Sequence, residues 1–220
     1  MVKYKKEVLM KRKILIILFI LILLIMLYIY YNLSIKTYTN NDFNIAKYTS
    51  KIDYDNDGID DQTDILNNAI TYIKTRPKYK SKYYAGGYSN DKYGVCTDVI
   101  AYSLKNAGYD LMELVNEDII NNREKYDIDK IDKNIDFRRV ANLKIYFHNN
   151  AINLTTDINE INEWQGGDIV IFKKHIGIIS NKRNEKGIPL VIHHSNPLQI
   201  FYEEDILTKR NDIIGHYRIS

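Results

Sequence analysis

The sequence predicts an α+β domain carried behind one N-terminal membrane helix. Three observations predict it. Ile14 to Tyr31 runs 18 residues without a charge. Further on, Cys96, Ile100, Leu104 and Ala107 recur at steps of 4, 4 and 3, which is one face of a helix. After Trp164, short runs rich in Ile, Val and Phe are separated by turn residues, as strands are. At 220 residues and 25.9 kDa the chain holds one ordinary domain with attachments. With 45% apolar and 27% charged residues, 3 Pro and 10 Gly, it is neither collagen-like nor low-complexity nor wholly disordered. A single cysteine excludes an internal disulfide framework and a Cys-based zinc knuckle.

Residues 1–13 carry six Lys/Arg against Glu7, a local +5, which leaves −2 on the other 207 residues of a chain whose overall charge is +3. The folded part therefore lacks the basic surface that nucleic acid requires. The uncharged run that follows would make a helix about 27 Å long, near the hydrocarbon thickness of a bilayer. Positive charge before it and none just after it predict a cytoplasmic tail at 1–13, a membrane helix at 14–31 and everything after residue 35 outside. Tyr28, Tyr30 and Tyr31 would form the interfacial belt. The exit YYNLSIK has neither an Ala-x-Ala pattern nor a lipobox cysteine, so an uncleaved signal anchor is expected rather than a removed signal. The polar, mixed residues 32–52 are expected to be a stalk.

DYDNDGIDDQTD at 53–64 places Asp53, Asp55 and Asp57 at positions 1, 3 and 5 of a loop, Gly58 at 6, Ile59 at 7, Asp61 at 9 and Asp64 at 12. This spacing matches the calcium loop of an EF-hand or dockerin, with Ile59 contributing its carbonyl, so Ca2+ is the expected structural cofactor. Asp64 stands where a bidentate Glu is usual, and no helix is apparent before the loop. The competing reading is a solvated acidic turn that caps the helix expected at about 62–75.

Tyr, Gly, Asn and Asp through 83–94 mark a loop, after which a helix is expected at 96–107, ending near Gly108. Further helices are expected at 111–121 and 138–149, and strands at 168–172, 175–180, 189–194 and 214–218. Cys96 would sit in the first turn of its helix, where unpaired N–H groups and the dipole lower a thiol pKa. The alternative is a small buried hydrophobe. If 175–180 and 189–194 pair as a hairpin, His175 lies opposite or diagonal to His193 and His194, within about 5–8 Å. One imidazole could then take the thiol proton while the other orients it. Arg138 and Arg139 are candidates for clamping a substrate carboxylate, or for an internal ion pair with Asp136 or another acid. His216 reads as packing and His148 as solvated.

The pieces YxGG at 84–87, the helix-opening Cys96, GDIVIF (167–172), HIGI (175–178) and IHHS (192–195) resemble the NlpC-type cell-wall cysteine hydrolases, bacterial enzymes of papain-like fold. GVCTDV, NEDI (116–119), IDFRRVANL (135–143), WQGGDIV, HIGIIS, VIH and GHYR (215–218) resemble a narrower secreted family, domain of unknown function twelve-eighty-seven, over about 60–220. The resemblance implies Cys96 as nucleophile, His175 as base, His193 as orienting residue and Tyr84 in the nucleophile pocket, its hydroxyl helping to hold an oxyanion. Two positions depart from the pattern: Val95 precedes Cys96 where the hydrolases carry Asp, and His194 follows His193 where the narrower family shows Asn. Together these imply a papain-like α+β domain, a monomer anchored on the outer face of a bacterial membrane, cleaving peptide or amide bonds in peptidoglycan. Two other readings are a Cys–His acyltransferase or amidase on a lipid or small amide, and a calcium-held wall-binding module without catalysis.

Overall fold

A computed structural model describes residues 2–34 and 36–219. It falls into two units, Met1–Thr37 and Tyr38–Ser220. The first is one helix, α1 (Val2–Ser34). Its segment Leu9–Tyr30 is 22 residues long with a mean hydropathy of 2.9, enough by length and composition to cross a membrane. A signal sequence near an N-terminus has the same character.

The second unit is α+β. Its helices are α2 (Asp61–Lys74), α3 (Cys96–Lys105), α4 (Leu111–Asn121), α5 (Lys133–Asp136) and α6 (Val140–Asn150). Its strands are β1 (Lys78–Tyr79), β2 (Tyr93–Gly94), β3 (Ile152–Asn153), β4 (Ile169–Phe172), β5 (His175–Arg183), β6 (Pro189–Ile192), β7 (Glu203–Glu204) and β8 (Ile213–Arg218). β1 and β2 form a small parallel pair. The others form one antiparallel sheet in the order β3-β8-β4-β5-β6-β7. The longer elements fall where periodicity places them. The two-residue strands and α5 are too short to leave a periodic signal.

Local chemistry starts the helices. The Asp60 side chain accepts from Thr63 N at the head of α2, and Asp110 accepts from Met112 N at the head of α4. At the head of α3 the capping residue is Val95, and Asp98 reaches back to accept the Val95 N–H at 2.7 Å. The sheet is covered on both faces, so all four residues of β4 are buried rather than alternating. On one face Ile169, Ile171, Ile176 and Ile178 meet Ile65, Val99, Ile100 and Leu104 from α2 and α3. On the other, Val170, Phe172, Ile179 and Val191 pack with Trp164 and Leu207. Asp168, fully buried, joins the sheet ends: Arg218 forks onto it at 2.7 and 2.8 Å and His216 Nε2 lies 3.0 Å away. That ion pair, with Trp164 stacked on His216 at 3.8 Å, gives His216 its packing role.

The expected stalk needs correction. Tyr38 and Arg183 exchange backbone hydrogen bonds at 2.9 and 2.8 Å, and Ile45 is buried. Arg183 explains why. Its guanidinium is 1% exposed and needs acceptors, which Asn40 Oδ1 supplies at 2.7 Å beside the carbonyls of Ile161, Trp164 and Gly187. Residues 38–52 are thus part of the domain.

Candidate active site

β5 and β6 are paired so that Ile178 faces Ile192 and Ile179 faces Val191. Continuing that register sets Gly177 opposite His193, and His175 diagonal to it on the same face. With no side chain at Gly177, the imidazoles close over it: His175 Nε2 lies 3.0 Å from His193 Nδ1, the rings nearly perpendicular. His193 Nε2 faces Glu204 Oε2 at 3.3 Å. The Gln199 amide is committed to Phe201 O at 2.8 Å and Glu204 Oε2 at 3.0 Å. Glu204 can only accept, so whenever the His193 ring is neutral these partners favour its proton on Nε2. Its bare Nδ1 then accepts from His175 Nε2–H, which leaves His175 Nδ1 free of a proton. Burial, followed by the charge of His193, holds His175 down at about 3. Burial alone would raise Glu204, but the His193 hydrogen bond and charge outweigh it and keep the carboxyl below its ordinary range.

Cys96 opens α3, which packs on β5. The N–H groups of Ile176, Thr97 and Cys96 itself converge on the sulfur, so the thiol lies beside the residue that follows His175. Burial outweighs those three donors and pushes the thiol up to about 11. This corrects the expected lowering: the helix terminus contributes as anticipated, but desolvation of the charged form is larger. Among the described residues no hydrogen bond joins the Cys96 sulfur to either imidazole.

Histidine 194 is set apart from His193 by strand alternation. It packs edge-on to Tyr79 at 5.3 Å and beside Tyr202 at 5.0 Å, with its Nδ1 unpartnered. Burial, then His193, lowers it to about 4. Tyr79 is near enough to Cys96 that, after burial, the thiolate charge raises its hydroxyl. Tyr84 is buried and donates its hydroxyl to Asp91 at 2.9 Å, and burial and that bond push it up to about 12.

The two arginines stand apart. Arg138 forks onto Asp98 at 3.0 and 2.8 Å, both bonds buried, and donates to Lys82 O at 2.7 Å in a part-buried bond. The expected substrate clamp is therefore corrected for Arg138: its fork is spent inside the protein, holding the residue that caps the Cys96 helix. Arg139 is half-exposed, 3.7 Å from Asp136. A surface hollow of about 520 Å³ is lined elsewhere, by Lys144, His148, Asn153 and His216 among others. Glu204 and Gln199 escaped sequence reasoning because acids and amides are common on surfaces; pairing of β7 with β6 brings Glu204 near His193, and the loop between those strands brings Gln199.

In the acidic loop, carboxylate oxygens of Asp53, Asp55 and Asp57 lie within 4.8 Å of one another. Asp53 accepts from Asp57 N at 3.1 Å and from Gly58 N at 2.9 Å, and Asp57 accepts from Ile59 N at 2.8 Å. Gly58 has φ +91°, the left-handed turn its position requires. Asp61 is drawn away, taking the Tyr54 N–H at 2.9 Å and the Tyr109 hydroxyl, which corrects its expected place among the ligands. Asp64 is buried, and burial with the charges of Asp57, Asp55 and Asp61 holds it up at about 6.

Residues 66–219 match the family model for a domain of unknown function, DUF1287. The chain is also 36% identical over 151 residues to the uncharacterized protein YijF of Escherichia coli (strain K12), covering 64% of this chain and 72% of that protein. No solved structure matches significantly. The matched segment takes in Cys96, His175, His193 and Glu204 and leaves the acidic loop outside, and the chain belongs to the DUF1287 family.

Proposed function

We propose that the domain is a membrane-tethered cysteine hydrolase of papain-like, NlpC-type architecture, acting outside the cell on peptide or amide bonds, with peptidoglycan peptides as its substrate class. The observation that carries the reading is the 3.0 Å bond between His175 and His193, on the strand whose next N–H faces Cys96. His175 Nδ1 removes the Cys96 proton as the sulfur attacks the carbonyl carbon. The oxyanion meets N–H groups at the head of α3. Collapse breaks the C–N bond, the amine leaves with the proton from His175, and water then hydrolyses the thioester. Glu204 acts through His193 as a positioning residue. Hydrogen bonds of this kind often close only around substrate.

A second reading, a wall-binding module without catalysis, is favoured by the raised Cys96 thiol and the lack of a Cys–His hydrogen bond among the described residues. One experiment separates them. The full chain in detergent and its Cys96→Ala variant are incubated with purified Gram-positive peptidoglycan, and soluble products are read by mass spectrometry. The hydrolase releases peptides that the variant does not. Co-sedimentation with the wall and no product from either protein supports the binding module instead.

A further inference from the structure

We propose that the 53–64 loop is a calcium site, using Asp53, Asp55, Asp57, the Ile59 carbonyl and Asp64, that fastens the start of α2 to the far end of the Cys96 helix. The inference stands apart from the hydrolase reading, and the loop lies outside the segment matched to the family.

Three carboxylates gathered within 4.8 Å repel one another, and by themselves they could be a solvated turn. Asp64 decides between the two. It is 7% exposed, its Oδ2 has no hydrogen-bond partner, and the charges of Asp57, Asp55 and Asp61 all bear on it. A buried carboxylate oxygen with no donor, beside a cluster of like charge, is the arrangement that a cation satisfies and water-exposed turns do not need. The donors are all hard oxygens on an adaptable loop, which suits calcium better than the rigid octahedron of magnesium.

The loop's place in the fold gives the ion its effect. Tyr54 stacks on Tyr109 at 4.4 Å, and the Tyr109 hydroxyl bonds Asp61. Tyr109 follows the turn at Gly108 that ends α3. One ion would therefore restrain the first turn of α2, the loop, and the exit from the helix that carries Cys96.

The test uses the full chain in detergent, with calcium, magnesium and terbium as probes. Calcium at a few millimolar should raise the melting temperature by about 4–7 °C for a Kd near 10⁻⁴ M, with magnesium giving much less. Terbium should luminesce on tyrosine excitation and be displaced by calcium. The Asp55→Asn/Asp57→Asn double variant should lose both signals yet melt in EDTA at or above the wild-type temperature. Should it misfold, Asp57→Asn alone should weaken calcium binding at least about tenfold. No calcium-dependent shift and no terbium signal in the wild type overturns the proposal, as does unchanged calcium affinity in these variants.

Discussion

Burial holds the His175 imidazole down at about 3 and the Cys96 thiol up at about 11, so both groups are neutral near pH 7. A resting thiolate–imidazolium pair is thereby disfavoured, and proton transfer must accompany attack. Alkylation of Cys96 by iodoacetamide should accordingly be slow at about pH 7 and climb through about pH 9 without an earlier plateau; a plateau near neutrality would refute the neutral resting state. Glu204 tests the tautomer chain. In Glu204→Gln the His193 Nε2 proton loses its charged acceptor, and kcat should fall about tenfold or more with the melting temperature little changed. Equal losses in activity and stability would instead make Glu204 a structural group.

Among the elements, the β5–β6 pair sets the site by its spacing. A Cβ at Gly177 would run into Val191 Cγ1 and come within 2.9 Å of Ile192 O and 3.3 Å of His193 Cβ. Gly177→Ala should therefore destabilise the domain by about 1–3 kcal/mol in urea unfolding and separate the two histidines, lowering activity by more than the lost folded fraction explains. A variant with wild-type stability would show that β6 yields freely. α3 is held differently. Its first turn is tied through Asp98 to Arg138, a fully buried pair whose role is to place Cys96 rather than to meet substrate.

Across the whole domain the buried histidines govern acid stability. His175 and His194 take protons in the unfolded chain below about pH 6.5, but in the fold only near 3 and 4. Their contribution is present above pH 6.5 and is lost as pH falls toward those values. Between pH 6.5 and 5 each should cost up to about 2 kcal/mol. Asp64, held at about 6, runs the other way, because protonation relieves it as pH falls. The histidine slope is therefore best read in an Asp64→Asn background by chemical unfolding. Stability independent of pH over that interval would show that these imidazoles are hydrated.

Signals carried by neighbours along the chain were legible beforehand. The uncharged run from Ile14, the helical stripe from Cys96, the β-rich runs around His175 and His193, and the aspartate spacing from 53 to 64 are all local, and they determined the α+β class, the long elements and the candidate residues. Tertiary structure decided what depends on residues far apart. Arg138 finds Asp98 across 40 positions, and Arg183 draws 38–40 into the domain across more than 140. The pairing of β5 with β6 brings His193, not His194, to His175, and β7 brings Glu204 to His193. The sense of the Cys96 shift was decided there too. A helix terminus is written in the sequence, but desolvation is the sum of everything that folds over the thiol, and no local pattern records that sum.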